Sequence, residues 1–421
     1  MSTEQTRKAV DRVIRGAHKA SRELAARRPA KINTALRNMA ALLAGEKKHV
    51  AAENRKDLAA ARKKGLPAAM QDRLHLSDKT FRSMIDGLRT VARLDAPLGC
   101  TYDERTRPNG LRIYKVKAPI GVVALIYESR PNVTVDAAAI CLKSQNAVVL
   151  RGGSEAFHSN KVLARLFSRA LADAGLPREA VGFIPTTDRS AVDLLLARDD
   201  LVDLVIPRGG EGLIRRVVEK ARMPVIKHYR GVCHVFVSAH ADMRTAVPIV
   251  VNAKTQRPGV CNAMETLLLD RALAEKNKKA LLEALTAEGV ELRGDKAVRS
   301  LMKGIGRATK EDWEAEYLDL RLAVAVVDGV QGAIEHINRY GSHHTDAILS
   351  GKAAEIKAFS RDVDSSSVII NASTRFSDGG EYGMGCEIGI STDKLHARGP
   401  MGVEDLTTYK WIVEGKGQVR G

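Results

Sequence analysis

The segment 252–262 places one cysteine close to two cations. Cys261 follows a Pro258-Gly259 turn, and Lys254 and Arg257 precede it by a few residues. The thiolate is the reactive form of cysteine and nearby positive charge favours it, so this spacing predicts a nucleophile. From these residues alone, the alternative is a cysteine that acts as a small buried apolar side chain.

The other thiols and histidines do not form a recognisable metal-binding pattern. The five cysteines are scattered, without a C-x-x-C pair, which argues against a zinc site and against a disulfide framework. His343 and His344 are adjacent but have no third ligand nearby in sequence, which favours structural or solvent roles. We therefore expect reduced thiols and no metal.

Two short loops pair an arginine with glycines: R-G-G-S at 151–154 and R-G-G-E-G at 208–212. Glycine lets backbone N–H groups approach a phosphate, and the second loop precedes a predicted helix whose N-terminus favours an anion. The dinucleotide fingerprint G-x-G-x-x-G and the phosphate loop G-x-x-x-x-G-K-[ST] are absent. Tight turns are the alternative interpretation, because glycine is common in turns.

The elements around these loops alternate between apolar runs and amphipathic stretches. Strands are predicted at 120–126, 147–150, 180–184 and 201–206, and helices at 133–142, 160–174 and 188–198. This order predicts a doubly wound α/β sheet, in which ligands bind at the carboxyl ends of the strands. Both R-G-G loops fall at such ends.

A second α/β unit is predicted after residue 226. Its strands are expected at 232–237, 265–270, 322–327, 346–350 and 368–371, with a helix at 246–252 that leads to Cys261. The first quarter of the chain is helical, and 101–117 is a hairpin that turns at 107–110. The glycine-rich stretch 374–402 is predicted to be a long functional loop.

Length and composition limit the class of protein. A chain of 421 residues with 44% hydrophobic content predicts two or three globular domains. It lacks a membrane-length apolar run and a signal-peptide core, so a cytoplasmic location is expected. The formal charge is +17, yet 4% aromatics and no recognition motif make a nucleic-acid partner unlikely; attraction of anionic substrates is the simpler explanation.

Seven motifs recur in order over nearly the whole chain. They are I-Y-E-S-R-P-N-V-T-V-D at 126–136, A-V-V-L-R-G-G at 147–153, I-P-R-G-G at 206–210, N-A-K-T-Q-R-P at 252–258 followed by Cys261, N-A-S-T-R-F at 371–376, K-L-H-A-R-G-P-M-G at 394–402, and T-T-Y-K-W at 407–411. With these motifs the chain resembles the gamma-glutamyl phosphate reductases, within the aldehyde dehydrogenase superfamily.

The resemblance implies NADPH-dependent reduction of L-glutamyl 5-phosphate to L-glutamate 5-semialdehyde, with release of phosphate, in proline biosynthesis. It implies Cys261 as nucleophile, and Asn132 with the Cys261 N–H as oxyanion donors. Residues implied in cofactor binding are Arg151, Gly152, Gly153, Ser154, Arg208, Gly209, Gly210 and Glu316, of which Glu316 is implied to contact the nicotinamide ribose. Residues expected to hold the anionic substrate are Lys254, Arg257 and Arg398, for which a structural role is the alternative.

Two departures from the superfamily pattern bear on the reaction. Aldehyde-oxidising members carry a glutamate in an E-L-G-G segment that activates water, whereas 228–234 here has no carboxylate, which favours reduction of an acyl phosphate over hydrolysis. Many relatives carry a lysine after R-G-G, where this chain has Ser154 and Glu155. The preference for NADPH over NADH then depends mainly on Arg151.

The resemblance also implies an aldehyde-dehydrogenase-like architecture. The NADP-binding domain is expected at 1–102 and 117–226, with part of 372–404 as a further candidate piece, and the catalytic domain at 227–371. The hairpin 103–116 and the strand 405–417 are expected to join subunits in a homodimer or homotetramer. Glutamate 5-kinase is a candidate channelling partner. A hydrolytic aldehyde dehydrogenase and a basic nucleic-acid-binding protein on an inactive scaffold are the competing interpretations.

Overall fold

Amphipathic helices open the chain and surround the first sheet. The computed structural model of this protein describes residues 3–420, and the first helices are α1 Thr3–Ala25, α2 Pro29–Gly45, α3 Lys47–Lys63, α4 Ala68–Leu74 and α5 Asp78–Arg93. Ser77 begins α5 as an N-cap whose hydroxyl accepts from the Thr80 amide. Their apolar faces join the core of that sheet.

The hairpin is formed by β1 Thr101–Thr106 and β2 Arg112–Pro119, which pair antiparallel. Gly110 has φ +85° in the turn and donates its N–H to the Arg107 carbonyl (2.8 Å), as the predicted turn requires.

The first parallel sheet is built as strand and helix alternate. Its elements are β3 Val122–Tyr127, α6 Asn132–Lys143, β4 Ala147–Gly152, α7 Phe157–Asp173, β5 Val181–Phe183, α8 Ser190–Leu196, β6 Leu204–Arg208 and α9 Glu211–Lys220. The strand order is β5-β4-β3-β6, all parallel, so β4 and β6 lie on opposite sides of β3. The predicted doubly wound sheet is confirmed, and this arrangement makes β3 the switch point.

The second parallel sheet carries the predicted nucleophile. Its elements are β7 Cys233–Val237, α10 Met243–Thr255, β8 Met264–Asp270, α11 Glu275–Ala287, β9 Glu291–Gly294, α12 Lys296–Leu301, β10 Gly306–Arg307, α13 Lys310–Trp313, β11 Arg321–Val327, α14 Gly329–Tyr340, β12 Thr345–Leu349, α15 Ala353–Asp362 and β13 Ser367–Ile370. The seven strands lie in the order β10-β9-β11-β8-β7-β12-β13, so β7 and β8 are central neighbours.

The remaining strands return to the hairpin. They are β14 Gly389–Ser391, β15 Gly399–Met401 and β16 Thr407–Glu414. β14 and β15 form a small antiparallel pair inside the stretch predicted as a loop, and β16 pairs with β2 over its full length. A three-stranded sheet in the order β1-β2-β16 results.

Several predicted boundaries are wrong by a few residues. The strand predicted at 201–206 is β6, Leu204–Arg208, because the 198–203 segment forms turns in which the Leu201 amide bonds to the Arg198 carbonyl. The helix predicted at 160–174 begins earlier, at Phe157, after a 3₁₀ turn at Ser154–Ala156. The helix predicted at 188–198 is shorter, Ser190–Leu196.

Separate cores lie under the two parallel sheets. One packs residues between 10 and 226 with a few from 388–406, and the cores of the second sheet use residues 235–369. We propose that these cores correspond to the cofactor and catalytic domains; the exact domain boundaries stay a prediction. Among residues 3–420, none of the helices combines the length and apolar character needed to cross a membrane.

Candidate active site

Cys261 is held in a tightly packed turn between α10 and β8. Its side chain is half-buried, and the buried Cys233 thiol on β7 donates to its carbonyl (3.1 Å). Gly231 packs directly against the Cys261 backbone, where a Cβ would overlap the carbonyl group. Residue 231 must therefore be glycine, and the backbone of the predicted nucleophile is fixed by its neighbours.

Two histidines from distant segments converge on the thiol. The ring nitrogens of His228 and His344 and Cys261 Sγ lie within 4.8 Å of one another. His344 is fully buried at the start of β12, and burial lowers its pKa to about 4, so the imidazole is neutral at neutral pH. No third ligand lies near His344 in sequence, as expected, but the fold brings His228 and Cys261 to it over long sequence distances; the expected absence of a metal stays a prediction.

Two arginines from distant segments lie near this thiol, and Arg257 lies near both of them. Arg130, in the loop before α6, and Arg375, in the 3₁₀ turn Thr374–Phe376, both lie within electrostatic range of Cys261. Burial lowers the pKa of Arg130 to about 10 and also lowers that of Arg375, and the nearby charge of Arg257 contributes to both shifts. Among residues 3–420, no carboxylate oxygen lies within 4.0 Å of a guanidinium nitrogen of any of the three. Unpaired cations next to a thiol create an anion site.

Arg130 and Arg375 are site residues that the sequence does not single out, although both lie in the recurring motifs. The residue before Arg130, Ser129, has φ +49°, and Asn371, four residues before Arg375, has φ +52°. Such left-handed turns after strands β3 and β13 aim the following segments at the carboxyl edges of the sheets. An arginine soon after a predicted buried strand was the available signal.

A cavity of about 530 Å³ adjoins the arginines. Asn132, Arg130 and Arg208 line it together with the acidic Asp136 and Glu387. Burial raises the pKa of Asp136 to about 6 and raises that of Glu387 as well. The Asn132 side-chain amide donates to Asp136 Oδ2 (3.0 Å); its oxyanion role stays a prediction.

Lys254 and Arg398 are already paired with carboxylates. Lys254 Nζ lies 2.6 Å from Glu265 Oε2, and both side chains are fully buried. Arg398 donates to Asp364 Oδ1 (2.8 Å). Because these cations are neutralised within the protein, their contacts give no support to a substrate role, which stays a prediction.

The two R-G-G loops flank β3, as the sequence predicts. Tyr127 at the end of β3 pairs with Gly152 on one side and Arg208 on the other. Two of their glycine amides have partners within the protein, and a role of these loops in phosphate binding stays a prediction. The Gly153 N–H bonds to the Tyr127 carbonyl (2.8 Å), and the Gly210 N–H bonds to Glu128 Oε2 (3.1 Å).

A smaller cavity of about 90 Å³ opens at the β4 loop. Arg151, Gly153, Ser154 and Arg189 contribute to its lining. Arg151 is 8% exposed. Its guanidinium donates to the carbonyls of Gly152 and Asp188 (both 3.2 Å), whereas its buried Nε has no partner. Arg189 is exposed, and sequence analysis did not identify it.

Glu316, the residue predicted to contact the ribose, also binds the segment that packs on Cys261. Its Oε1 accepts from the Gly231 amide (2.9 Å), and burial raises its pKa. Since Gly231 packs on Cys261, Glu316 helps to position the turn that covers the nucleophile. The ribose contact itself stays a prediction.

Comparison with known proteins agrees with this arrangement. The Aldehyde dehydrogenase family profile matches residues 2–299. A gamma-glutamyl phosphate reductase of Citrifermentans bemidjiense is 54% identical over 91% of this chain and 92% of that protein. The crystal structure of a gamma-glutamyl phosphate reductase from Thermotoga maritima superposes with a TM-score of 0.95 at 42% identity, over 98% of this chain and 100% of the other. The chain belongs to the gamma-glutamyl phosphate reductase branch of the aldehyde dehydrogenase family.

As a member of the aldehyde dehydrogenase family, the protein is an oxidoreductase. This family uses a nicotinamide cofactor. The cavity at the switch point suits such a group, because the unpartnered Nε of Arg151 is buried in its wall. Residues 228–234 correspond to the E-L-G-G segment of the aldehyde-oxidising members. They provide His228 and Gly231, which lie next to Cys261, and they include no carboxylate.

Proposed function

We propose that the protein reduces L-glutamyl 5-phosphate to L-glutamate 5-semialdehyde with NADPH and releases phosphate, the second step of proline biosynthesis from glutamate. The observation that carries this proposal is the half-buried Cys261 among three arginines that lack carboxylate partners. A thiolate and an anion site together suit an acyl phosphate, whose phosphate is both a handle for binding and a leaving group. The names of the relatives support the same substrate.

The first step forms a thioester on Cys261. The thiol proton passes to a nearby base. His228 is the proposed acceptor, because one of its ring nitrogens lies within 4.8 Å of Cys261 Sγ, whereas burial disfavours the protonated form of His344. The thiolate attacks the acyl carbon and the C–O bond to phosphate breaks. The departing oxygen takes up the proton that the thiol gave to the base, so that phosphate leaves as the HPO4²⁻ dianion, held by Arg130, Arg257 and Arg375. The Cys261 N–H and Asn132 are the proposed donors to the oxyanion.

The second step releases the aldehyde. The nicotinamide, when bound, supplies the hydride that reduces the thioester carbon. The same oxyanion donors hold the resulting thiohemiacetal alkoxide, which collapses as the C–S bond breaks and returns the thiolate of Cys261. Because 228–234 carries no carboxylate, this segment offers no group like the water-activating glutamate of the aldehyde-oxidising members.

The large cavity suits the amino-acid end of the substrate. Its α-ammonium requires an anion and its α-carboxylate requires a cation. The cavity wall provides Asp136 and Glu387 for the former and Arg208 for the latter. We assign Arg208 to this region as well as to the cofactor loop, because its charge is felt by Asp136, Glu387 and His344.

The smaller cavity is the proposed place of the adenosine end of the cofactor. Arg151 and Arg189 are its two cations, and either guanidinium can pair with the 2′-phosphate that distinguishes NADPH from NADH. The Glu155 carboxylate is engaged by the amide (2.6 Å) and hydroxyl (3.1 Å) of Ser129.

A homodimer or homotetramer is proposed through the three-stranded sheet. Tyr102, Tyr409 and Trp411 are between 40% and 48% exposed on it, and Lys115 Nζ lies over their rings. An exposed aromatic face beside an edge strand suits burial against a second copy.

Direct transfer of the acyl phosphate from glutamate 5-kinase is a further proposal that follows from the substrate being labile.

The reverse reaction tests the proposed function against a hydrolytic aldehyde dehydrogenase. The purified enzyme is given L-glutamate 5-semialdehyde and NADP⁺, with or without inorganic phosphate, and NADPH formation is followed by absorbance. We expect turnover only when phosphate is present, because phosphate must attack the thioester. Equal rates without phosphate would show that water is the acceptor and would contradict the proposal.

A further inference from the structure

The cluster around the thiol has the composition of a transition-metal site. One thiol sulfur and two imidazole nitrogens lie within 4.8 Å of one another, and among residues 3–420 no other group of this kind comes together. The ligands come from three separate segments, before β7, before β8 and before β12. Side chains of Cys261, His228 and His344 are a borderline-soft donor set that favours Zn²⁺ over Mg²⁺ or Ca²⁺.

Hydrogen bonds made by Nδ1 orient both imidazole rings and leave Nε2 unprotonated in each. His228 Nδ1 donates to the Ile390 carbonyl (2.8 Å), which leaves Nε2 with its lone pair. His344 Nδ1 lies 2.9 Å from Thr345 Oγ1, whose own proton is donated to Ser377 Oγ, so this nitrogen also carries the hydrogen. Outer contacts of this type orient histidines as metal ligands.

The His344 ring provides the independent sign that a ligand belongs here. It is completely buried, and its Nε2 has no hydrogen-bond partner. A buried polar atom without a partner requires an explanation, for which an absent ion is one of the standard choices. The ligand atoms of a tetrahedral zinc site lie roughly 3.5 Å apart, so side-chain rotations that move them by about 1 Å would close the cluster.

We propose that Cys261, His228 and His344 bind Zn²⁺ reversibly and that the bound ion inhibits the enzyme. On binding, a Zn–S bond replaces the S–H bond of Cys261 and the proton passes to solvent, while both Nε2 lone pairs enter the coordination sphere. The half-exposed side of Cys261 leaves the fourth position to water. The inhibitory consequence rests on Cys261 being the nucleophile of the proposed function, whereas metal binding does not.

Two measurements on the full-length protein test the site without requiring turnover. Co²⁺ is titrated into the metal-free reduced protein, and the thiolate-to-metal absorption band and tetrahedral d–d bands are followed. Separately, the rate at which iodoacetamide alkylates Cys261 is measured by mass spectrometry with and without equimolar Zn²⁺. Cys100, which is exposed, is the internal control in the same sample.

We expect the thiolate band in the wild type, its loss in Cys261→Ser, and slow alkylation of Cys261 under Zn²⁺ that EDTA reverses, with Cys100 unaffected. His344→Asn and His228→Asn should each weaken affinity by at least the roughly 10–100-fold that even outer-shell partners contribute. His343→Asn is the matched control, because this exposed neighbour lies outside the cluster and asparagine tolerates its φ of +60°.

Absence of the thiolate band, or of zinc protection at Cys261, would overturn the proposal. Unchanged affinity in both histidine variants would also overturn it, since the ion would then bind the thiol alone. If His344→Asn does not fold, as judged by circular dichroism, His228→Asn carries the test because His228 is only half-buried. Normal phosphate-dependent turnover without zinc binding refutes this inference alone; zinc binding without turnover refutes only the proposed function.

Discussion

The thiol pocket and the cofactor end of the first sheet differ in how their polar groups are satisfied. At the β4 and β6 loops, the amides of Gly153 and Gly210 are bonded to the protein itself, and Arg151 donates to two carbonyls. Around Cys261, by contrast, His344 Nε2 has no partner and the three arginines have no carboxylate in ion-pair contact within residues 3–420.

We infer from this difference that the polar groups of the loops mainly maintain the shape of the site, whereas those around the thiol take part in binding and reaction. Satisfied groups fix the shape of a loop at little cost, whereas unpaired cations and an orphaned buried nitrogen are costly unless a ligand uses them. Clustering of such groups at one thiol therefore locates the chemistry more firmly than glycine-rich loops locate the cofactor. The following experiments test this contrast.

The largest effect is expected at the nucleophile. Cys261→Ser should lower kcat of the phosphate-dependent reverse reaction by on the order of 10³-fold or more, since a covalent nucleophile is lost. Cys100→Ser is the matched control and should retain full activity, because Cys100 is exposed and outside the site. More than about a hundredth of wild-type activity in Cys261→Ala would exclude covalent catalysis by this residue.

The next largest effect distinguishes unpaired from paired arginines. Arg375→Lys and Arg257→Lys should each raise KM for phosphate about 10–100-fold in the reverse assay, the value of one charge-assisted bond. Arg398→Lys should change it little, because Asp364 already holds that guanidinium. An equal rise in Arg398→Lys would assign Arg398 to the substrate, as the sequence predicts, and would weaken the argument from unpaired charge.

The sequence predicts these elements better than it predicts their contacts. Continuous apolar runs identify β3, β4 and β8 because strands covered on both faces must be apolar throughout. The motif around Cys261 was found for the same local reason, since its turn and cations are adjacent in the chain. His228 and His344 could not be paired with it, because only the order of strands in the second sheet brings three distant segments together.

Whether a charged side chain is buried cannot be inferred from its residue type alone. Lys254 lies four residues before the Pro258-Gly259 turn and the sequence assigns it to the substrate, yet it is fully buried against Glu265. Its position on the inner face of α10 decides this, and that face was visible only as a short apolar pattern. Arg130 and Arg375 were missed for the complementary reason, since nothing local shows that a charge will lack a partner.

A third experiment uses the raised pKa of Asp136. Burial raises the pKa of this carboxyl to about 6 in the folded protein, against 3.8 in the unfolded chain, so the folded state binds more protons between these two pH values. Its contribution to stability is present below pH 3.8 and is lost as pH rises through 6. Asp136→Asn should therefore raise the free energy of unfolding at neutral pH by about 1–3 kcal/mol, from the size of the shift.

Thermal unfolding measured across pH checks this expectation. The variant should gain stability over the wild type above pH 6 and lose that advantage below pH 3.8, while its asparagine oxygen can still accept from Asn132. Weaker substrate binding in the same variant would fit the proposed contact with the α-ammonium group. Equal stability of the two proteins at every pH would show that Asp136 is not strained by burial.

The smallest effect is expected at the cofactor end, where the loop amides are bonded within the protein and, of the Arg151 guanidinium, only the buried Nε lacks a partner. Arg189→Ala should lower the preference for NADPH over NADH about tenfold, the low end of one charge-assisted contact, because Arg189 is exposed at the cavity rim. Arg151→Ala should weaken both cofactors alike, since it removes the bonds to the Gly152 and Asp188 carbonyls that shape the loop. Ratios of kcat/KM for the two cofactors measure both effects. Loss of preference in Arg151→Ala alone would instead make Arg151 the residue that recognises the 2′-phosphate, and the contrast between the two regions would then fail at its cofactor end.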